Sequence, residues 1–291
     1  MTDVLLATSS EWPSGEPAGD LLVKAFAERG VDARWAVWDD PGVDWSAARL
    51  VVVRSTWDYS WRRDEFLAWA EHVDRWSRLL GGPAVLRWNT DKSYLLDLAR
   101  AGVPVVPTAL LDDLADVGAS FAGRVVVKPR VGAGGRGLTV QDAAPGLGSL
   151  EVEPVGGPGA WLVQPLVESV RTEGETSVFV LGGVPVSQAL KLPAHGEIRV
   201  HEMYGGRTEP CAPTDEAMLL AAETVAAAGQ LLGKELAVAR VDLMRLESGR
   251  LVVGELEVTE PGLYLDVLPG NAEAFAEVVA ALLPEGPEAE K

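Results

Sequence analysis

The chain has 291 residues, 47% hydrophobic and 23% charged, and a formal net charge of −18. That supplies two or three small domains or lobes, while so negative a surface repels polyanions such as nucleic acid. Its apolar runs are too short to cross a bilayer, "MTDVLLATSSEWP" reads as a first strand rather than a signal peptide, and the single cysteine, Cys211, excludes an internal disulfide and fits a reducing cytoplasm. The expectation is a cytoplasmic protein with no nucleic-acid or membrane partner. Any anion it binds must be gripped locally, so the position of each of the few lysines is informative.

The N-terminal part alternates strand and helix. "VLLAT" at Val4–Thr8, "ARWAVW" at Ala33–Trp38 and "RLVVVR" at Arg49–Arg54 read as strands. "GDLLVKAFAERG" reads as an amphipathic helix closed by Gly30, and "RRDEFLAWAEHVDRWSRLL" as a second helix. This is the pattern of a small α/β domain with a mostly parallel sheet. "NTDKSYLLDLARAGVP" starts a further helix, with Thr90 or Asp91 as N-cap and Gly102 at its end.

From Arg124 the texture changes to strands joined by glycine turns. "GRVVVKP" and "RGLTVQD" flank a glycine loop, and "ETSVFVLGGVPVSQALKLP" is a hairpin turning at Gly182-Gly183. "DEAMLLAAETVAAAGQLLG" is a helix ending at Gly233, and "VARVDLMRLESGRLVVGELEV" a second hairpin turning at Ser248-Gly249. A last helix, Ala272–Leu283, precedes a polar tail.

Alternation along "GELEVTEPG" puts Glu255 and Glu257 on one face and Leu256 and Val258 on the other. If Ser248 and Gly249 form a two-residue turn, Asp242 lies opposite Glu255 and Arg240 opposite Glu257. Directly opposed carboxylates are destabilising, so a positive charge is required there. A salt bridge from Arg240 to Glu257 accounts for one acid; a site for Mg²⁺, which takes carboxylate oxygens and shares them with phosphates, accounts for all three.

Gly132, Gly134 and Gly137 have G-x-G-x-x-G spacing, but a β-like segment follows where a dinucleotide fold opens a helix. Protein-kinase signatures and a P-loop are absent as well. What remains is strand, glycine loop and strand, with Lys128 on the first strand. Such a loop either closes its backbone N–H groups over phosphates or is a flexible surface hairpin with a snorkelling lysine. In "RLVVVRSTWDYSWRRDEF", Arg54 ends a strand and Trp57, Asp58 and Tyr59 follow. Ligands of open α/β sheets lie beyond such strand ends. There Arg54 would clamp a carboxylate and Asp58 an ammonium. Alternatively Trp57 and Tyr59 pack a lobe interface and Arg54–Asp58 is a local ion pair.

A lysine at a helix start, a lysine before a glycine loop, a hairpin and then Asp…Glu-x-Glu, in that order, resemble the ATP-grasp superfamily, and its glutathione-synthetase-like branch in particular. The resemblance spans Arg49 to Asp266 and rests on "VVVKPRVGAGGRG", "GEIRVHEMYGGRTEP" and "GELEVTEPG". It implies a Rossmann-like N-terminal α/β domain (1–88), a central lobe with the glycine loop (89–190) and a C-terminal lobe with the metal site (191–291). It also implies that ATP and Mg²⁺ are used to join a carboxylate to an amine through an acyl-phosphate.

Carried onto this sequence, Lys92 and Lys128 resemble the lysines of the α- and β-phosphates, and Gly132, Gly134 and Gly135 the loop over them. "WLVQPLVES" resembles the adenine hinge, with Gln164 and Leu166 at the base edge and Glu168 or Glu175 at the ribose. Asp242, Glu255 and Glu257 resemble the metal ligands, Lys191 stands near the γ-phosphate, and Arg199 resembles the arginine that steadies the acyl group. Glu257 replaces the usual asparagine of E-x-N, and His201 stands where glutathione synthetases place asparagine, which puts the acceptor in doubt.

"RSTWDY" with "RWNTDKSYL" is similar to a bacterial ATP-grasp group that includes D-cycloserine synthetase, which activates the carboxylate of O-ureido-D-serine and closes a ring by internal attack. The implied partner is an amino-acid-like small molecule, bound by Arg54, Trp57 and Asp58, with a second copy of the chain, as a homodimer, the other partner considered. A small-molecule kinase or a non-catalytic nucleotide binder on this fold are the alternatives.

Overall fold

A computed structural model of the protein describes residues 2–113, 116–143 and 161–284. The polar tail after Pro284 lies outside the described residues. The first sheet joins β1 (Thr2–Thr8), β2 (Ala33–Val37), β3 (Ala48–Val53) and β4 (Arg78–Leu79) in the order β2-β1-β3-β4, all parallel. Helices α1 (Asp20–Glu28), α2 (Arg63–Val73), α3 (Gly82–Asn89) and α4 (Tyr94–Arg100) accompany it. Gly30 ends α1 as expected: with φ 71° it lets the Gly30 and Val31 N–H groups return to Ala27 and Phe26 carbonyls.

One expectation fails in this part. Helix α2 stops at Val73, seven residues before the amphipathic pattern runs out at Leu80, because Arg78–Leu79 pairs with β3 and buries Leu79. Helix α3, which the sequence reading did not include, opens on Gly82-Pro83; proline in the first helical turn costs nothing, since its N–H would be unpaired there anyway.

The middle sheet, β5 (Ala109–Leu111), β6 (Arg124–Pro129), β7 (Thr139–Asp142) and β8 (Trp161–Pro165), is antiparallel in the order β5-β8-β6-β7, with the single-turn α5 (Val117–Ser120) beside it. The largest sheet, β9 (Glu175–Leu181), β10 (Val184–Leu192), β11 (Arg207–Pro210), β12 (Val238–Arg245) and β13 (Leu251–Glu257), runs β11-β10-β9-β12-β13 and is also antiparallel. The β9–β10 hairpin turns at Gly182-Gly183, both at positive φ, which is the two-residue turn that the sequence implies.

The divisions expected at 88 and 190 both cut an element, α3 and β10 respectively. Since β9 pairs with β10 and β12, the hairpin belongs to the C-terminal sheet and the middle lobe is shorter than expected.

Strand alternation gives the large sheet two apolar faces. Val178 and Val180 pack with Ala239, Val241 and the long helix α6 (Asp215–Leu232) in one core. Phe179 and Leu181 pack with α7 (Gly270–Ala281), α1 and β1 in another. That second core welds the N-terminal domain to the C-terminal lobe; Phe26 and Phe275 meet edge to face across it at 6.0 Å. The middle sheet has its own small core of Val125, Val127, Val163 and their neighbours. It joins the rest through Leu162 and Leu110, which pack into the α6 core, and through the Val105–Val253 bridge and the Arg130–Asp91 ion pair at 2.6 Å. Among the described residues no helix is long and apolar enough to cross a membrane.

Candidate active site

The β12–β13 hairpin reaches the expected register by a different route. Arg240 does lie opposite Glu257, and Asp242 opposite Glu255. The turn is one residue longer, however: the Leu246 N–H donates to the Arg250 carbonyl around a three-residue loop in which Gly249 has φ 81°. The register then shifts between Asp242 and Leu243, where Gly254 is the unpaired extra residue on β13. The longer turn and the bulge cancel. Past a bulge, face alternation resets, so Val253 and Leu256 pack in the α6 core while Glu255 and Glu257 point to the opposite face.

On that face three rows of side chains cross the strands. Lys191 pairs with Glu175, Ser177 aligns with Asp242 and Glu255, and Phe179 aligns with Arg240 and Glu257. Their charged members, Glu175, Lys191, Arg240, Asp242, Glu255 and Glu257, form the floor of a cavity of about 340 Å³ between the large sheet, the glycine loop and the N-terminal domain.

Arg240 holds Asp242 with two bonds of 3.0 Å and also pairs with Glu257, while Lys191 lies 3.1 Å from Asp242. Burial would lift the Asp242 pKa, but Arg240 and Lys191 outweigh it and hold it below the carboxylate range. Lys191, only 2% exposed, is raised in turn: burial opposes its charge, yet Asp242 and Glu175 more than compensate. Lys92 pairs with Glu255, which it and Lys128 hold at about 2 against the effect of burial. Glu257 goes the other way, pushed up to about 7 by burial and only partly relieved by Arg240.

Among the described residues, Lys128 on β6 and Glu260 line this cavity without an ion-pair partner. Lys128 is half-buried, and desolvation depresses its pKa although the Glu255 charge works against it. Glu260, 5% exposed, is pushed up to about 8 by burial and then by the Glu257 charge.

The glycine loop arches over the cavity. Gly134 and Gly135 have φ of 63° and 67°, and a Cβ on Gly135 would stand 3.1 Å from His201 Nδ1. Gly135→Val therefore adds a left-handed β-branched residue, costing about 1–2 kcal/mol, and drives it into His201. ATP affinity is expected to fall at least about tenfold while Tm falls by only about 2–8 °C from the strain; calorimetric binding equal to wild type would mean that the loop does not close over ligand.

His201 is neutral, burial pushing it down to about 4, and its Nδ1 has no partner. Arg199 stacks its guanidinium 3.7 Å above the Tyr204 ring and pairs with Glu197, whose pKa that bond lowers to about 2. The far end of the cavity is walled by Val106, Val126, Val167, Val170 and Met244, an apolar slot suited to a flat base. Gln164 lines it and donates to Thr108 Oγ1 at 2.9 Å. The Leu166 N–H is committed to the Arg124 carbonyl at 2.9 Å, so it reaches a base edge only if that sheet bond breaks. Glu175 faces the cavity from beneath Lys191, whereas Glu168 is turned outward to Arg124 and Arg171.

The substrate-side expectations need the largest correction. Arg54 is 1% exposed and bonded to Glu16 and to the Pro261 carbonyl, so its guanidinium is a buried staple and not an open clamp. Asp58 accepts from Trp38 Nε1 and Arg62 and does not line the cavity. Nor are Arg54 and Asp58 partners of one another. Trp57 does line the cavity, its ring edge-to-face with Trp12 at 5.7 Å. Sequence reading missed Trp12, Tyr264, Asn89 and Glu260. Only Glu260 carried a signal, as a third acid three residues beyond Glu257 in the same motif.

A glycine loop and a carboxylate-bearing sheet gripping a base-sized slot define an ATP-grasp enzyme. The family model described as "Prokaryotic glutathione synthetase, ATP-grasp domain" matches residues 104–262, and "D-cycloserine synthetase DcsG, N-terminal domain" matches residues 4–81. The cycloserine biosynthesis protein DcsG of Streptomyces lavendulae is 34% identical over 276 residues, covering 90% of this chain and 92% of the relative. The crystal structure of D-cycloserine synthetase DcsG superposes with a TM-score of 0.85 at 30% identity, covering 97% of this chain and 99% of that one. A RimK domain protein of Sphaerobacter thermophilus, at 17% identity, a TM-score of 0.65 and coverage of 95% and 99%, shares the fold.

The chain belongs to the ATP-grasp ligase family that includes D-cycloserine synthetase. It is an ATP-dependent ligase.

Proposed function

We propose that the protein phosphorylates the carboxylate of an amino-acid-like small molecule and joins the activated carbonyl to an amine nitrogen, in the manner of a cyclo-ligase acting on O-ureido-D-serine. The observation that carries this reading is Lys128, a half-buried cation with no ion-pair partner among the described residues, beneath a loop of positive-φ glycines. A buried charge is stable only when paired, and a phosphate supplies the partner.

In the first step a substrate carboxylate oxygen attacks the γ-phosphorus, and the bond from that phosphorus to the β-bridging oxygen breaks to release ADP. In the second the amine attacks the acyl carbon, phosphate leaves with the electron pair of the C–O bond, and the nitrogen gives up a proton. Lys128 and Lys92 would hold the phosphates, Lys191 the transferring group and Arg199 the acyl oxygen. Positioning and charge neutralisation are most of what such a transfer needs.

The fit to Mg²⁺ rests on the donors. Asp242, Glu255 and Glu257 give only hard carboxylate oxygens on one sheet face. Among the described residues no three such groups close into a cage, because Arg240, Lys92 and Lys191 occupy them. Mg²⁺, when bound, neutralises phosphate charge and acts as a Lewis acid.

Glu257 tests the metal reading. Glu257→Asn keeps an oxygen donor and should stay active with a raised Mg²⁺ requirement, whereas Glu257→Leu should lose far more. Identical Mg²⁺ curves for wild type and Glu257→Leu would leave Glu257 as a partner of Arg240 alone. The reaction itself is tested by Mg²⁺-dependent ADP release with D- and L-amino acids and their ureido derivatives. Phosphate release that accompanies product formation supports a ligase; a stable phosphorylated product would replace it with a kinase.

A further inference from the structure

Glu260 is a buried acid of the cavity without a counter-ion, and its surroundings are built around it. On one side, Asn89 Oδ1 accepts from the Val258 and Thr259 N–H groups at 2.9 and 3.1 Å. On the other, Arg54 donates to the Pro261 carbonyl at 2.9 Å, Arg240 to that of Gly262 at 3.1 Å, and Glu16 accepts from the Leu263 N–H at 2.8 Å. Three residues from the N-terminal half thus pin the backbone on both sides of one carboxylate. Tyr264, just beyond, is held at φ 50°, a conformation that non-glycine residues adopt only when their surroundings impose it.

The carboxyl group itself meets the Tyr59 hydroxyl; the Lys92 charge reaches it, but among the described residues no lysine or arginine forms an ion pair with it. Every other buried acid of the cavity has such a partner: Glu175 has Lys191, Asp242 and Glu257 have Arg240, and Glu255 has Lys92. Trp57 stands close by, its ring 3.7 Å from where a Cβ on Gly262 would sit, and Trp12 packs against it edge to face. A carboxylate beside aromatic faces is the environment that attracts an organic cation.

We infer that Glu260, oriented by Tyr59, is the specificity residue that binds a primary ammonium group of the substrate. This rests on the reading of the substrate as amino-acid-like and gives Glu260 the role for which the sequence suggested Asp58. The geometry separates the two ends of the ligand: the unpaired lysine under the glycine loop meets phosphate, and the unpaired glutamate on the N-terminal side meets ammonium. Unliganded, Glu260 satisfies its burial by keeping a proton, and an ammonium takes that proton's place.

The test compares wild type with Glu260→Gln, which keeps shape and hydrogen bonding but not charge. Binding of O-ureido-D-serine and of its counterpart with hydroxyl in place of ammonium is measured by calorimetry in the presence of a non-hydrolysable ATP analogue. Wild type should favour the amino compound by about tenfold or more, Glu260→Gln should bind both alike, and affinity for the ATP analogue should be the same in the two proteins. Tyr59→Phe, which leaves the carboxylate but frees its orientation, should show an intermediate preference.

A readout free of any assumption about the substrate is thermal stability in ethylammonium chloride against sodium chloride at equal ionic strength. Ethylammonium should raise the Tm of wild type and not of Glu260→Gln. An equal response of both proteins to ethylammonium overturns the assignment. So does an unchanged amino-to-hydroxy preference in Glu260→Gln, and so does a shifted Mg²⁺ requirement, which would make Glu260 a metal ligand. If wild type responds to ethylammonium but turns over none of the amino acids, the substrate reading fails and the ammonium site stands.

Discussion

Arg54→Ala is expected to produce the largest loss of stability of any single substitution considered. The guanidinium lies 4.9 Å above the Phe275 ring, donates through Nε to Glu16 at 3.1 Å and through Nη2 to the Pro261 carbonyl. Truncation leaves Glu16 as a buried carboxylate with its cation gone, a change that costs about 3–5 kcal/mol. Against a total stability on the order of 5–15 kcal/mol, that moves the denaturant midpoint far down. The double variant Arg54→Met with Glu16→Leu should recover much of the loss, since no charge is then left unpaired. ATP affinity of the folded fraction should stay near wild type. A midpoint within error of wild type, with lost substrate binding, would instead restore the reading of Arg54 as a substrate clamp.

Lys128→Met is expected to show the opposite pattern. A charge-assisted phosphate contact is worth roughly 1.5–3 kcal/mol, so ATP affinity should fall about ten- to a hundredfold. Because Lys128 makes no ion pair in the free protein and only adds to the hold of Lys92 on Glu255, the variant should lose little stability: a partly desolvated cation has been replaced by an apolar side chain of similar length. Lys92→Met makes the control. It should also weaken ATP, but it strands Glu255 and should lower Tm. Calorimetry and thermal melts on the pair separate a ligand contact from a structural ion pair, and unchanged ATP binding by Lys128→Met would remove the lysine from the nucleotide site.

The contrast between these two residues also marks what a sequence conveys. Lys128 could be placed because its environment is local: a strand, a lysine and glycines follow one another in "VVVKPRVGAGGRG". The turn at Gly182-Gly183, the helix stop at Gly233 and the facing of Asp242 with Glu255 are local in the same sense. The fate of Arg54 was hidden because its partners, Glu16, Pro261 and Phe275, are distant in the chain and meet only through the core shared by α1 and α7. Glu260 was hidden for a related reason, since its significance lies in the cation it lacks, and a missing partner is visible only when all neighbours are in place. The end of α2 was misjudged because Leu79 keeps helical spacing while its burial is decided by β3. The adenine slot was legible as a segment, "WLVQP", but not that the Leu166 N–H is already spent in the sheet.

The bulge at Gly254 makes one position of β13 expendable. Val253 packs in the α6 core and Glu255 faces the cavity, so with Gly254 removed the two become neighbours on opposite faces, still paired with Leu243 and Asp242. The same loss two residues further on is ruinous: without Leu256, Glu257 would turn into the apolar layer and Val258 toward the phosphates. The loop at residues 247–249 is a second place where length can change, since it lies inside the pairing of Arg245 with Leu251. Homologous hairpins should accordingly vary in length at the tip and at the bulge and stay constant from Glu255 to Glu257, so that length variation maps where the carboxylate face is not being built.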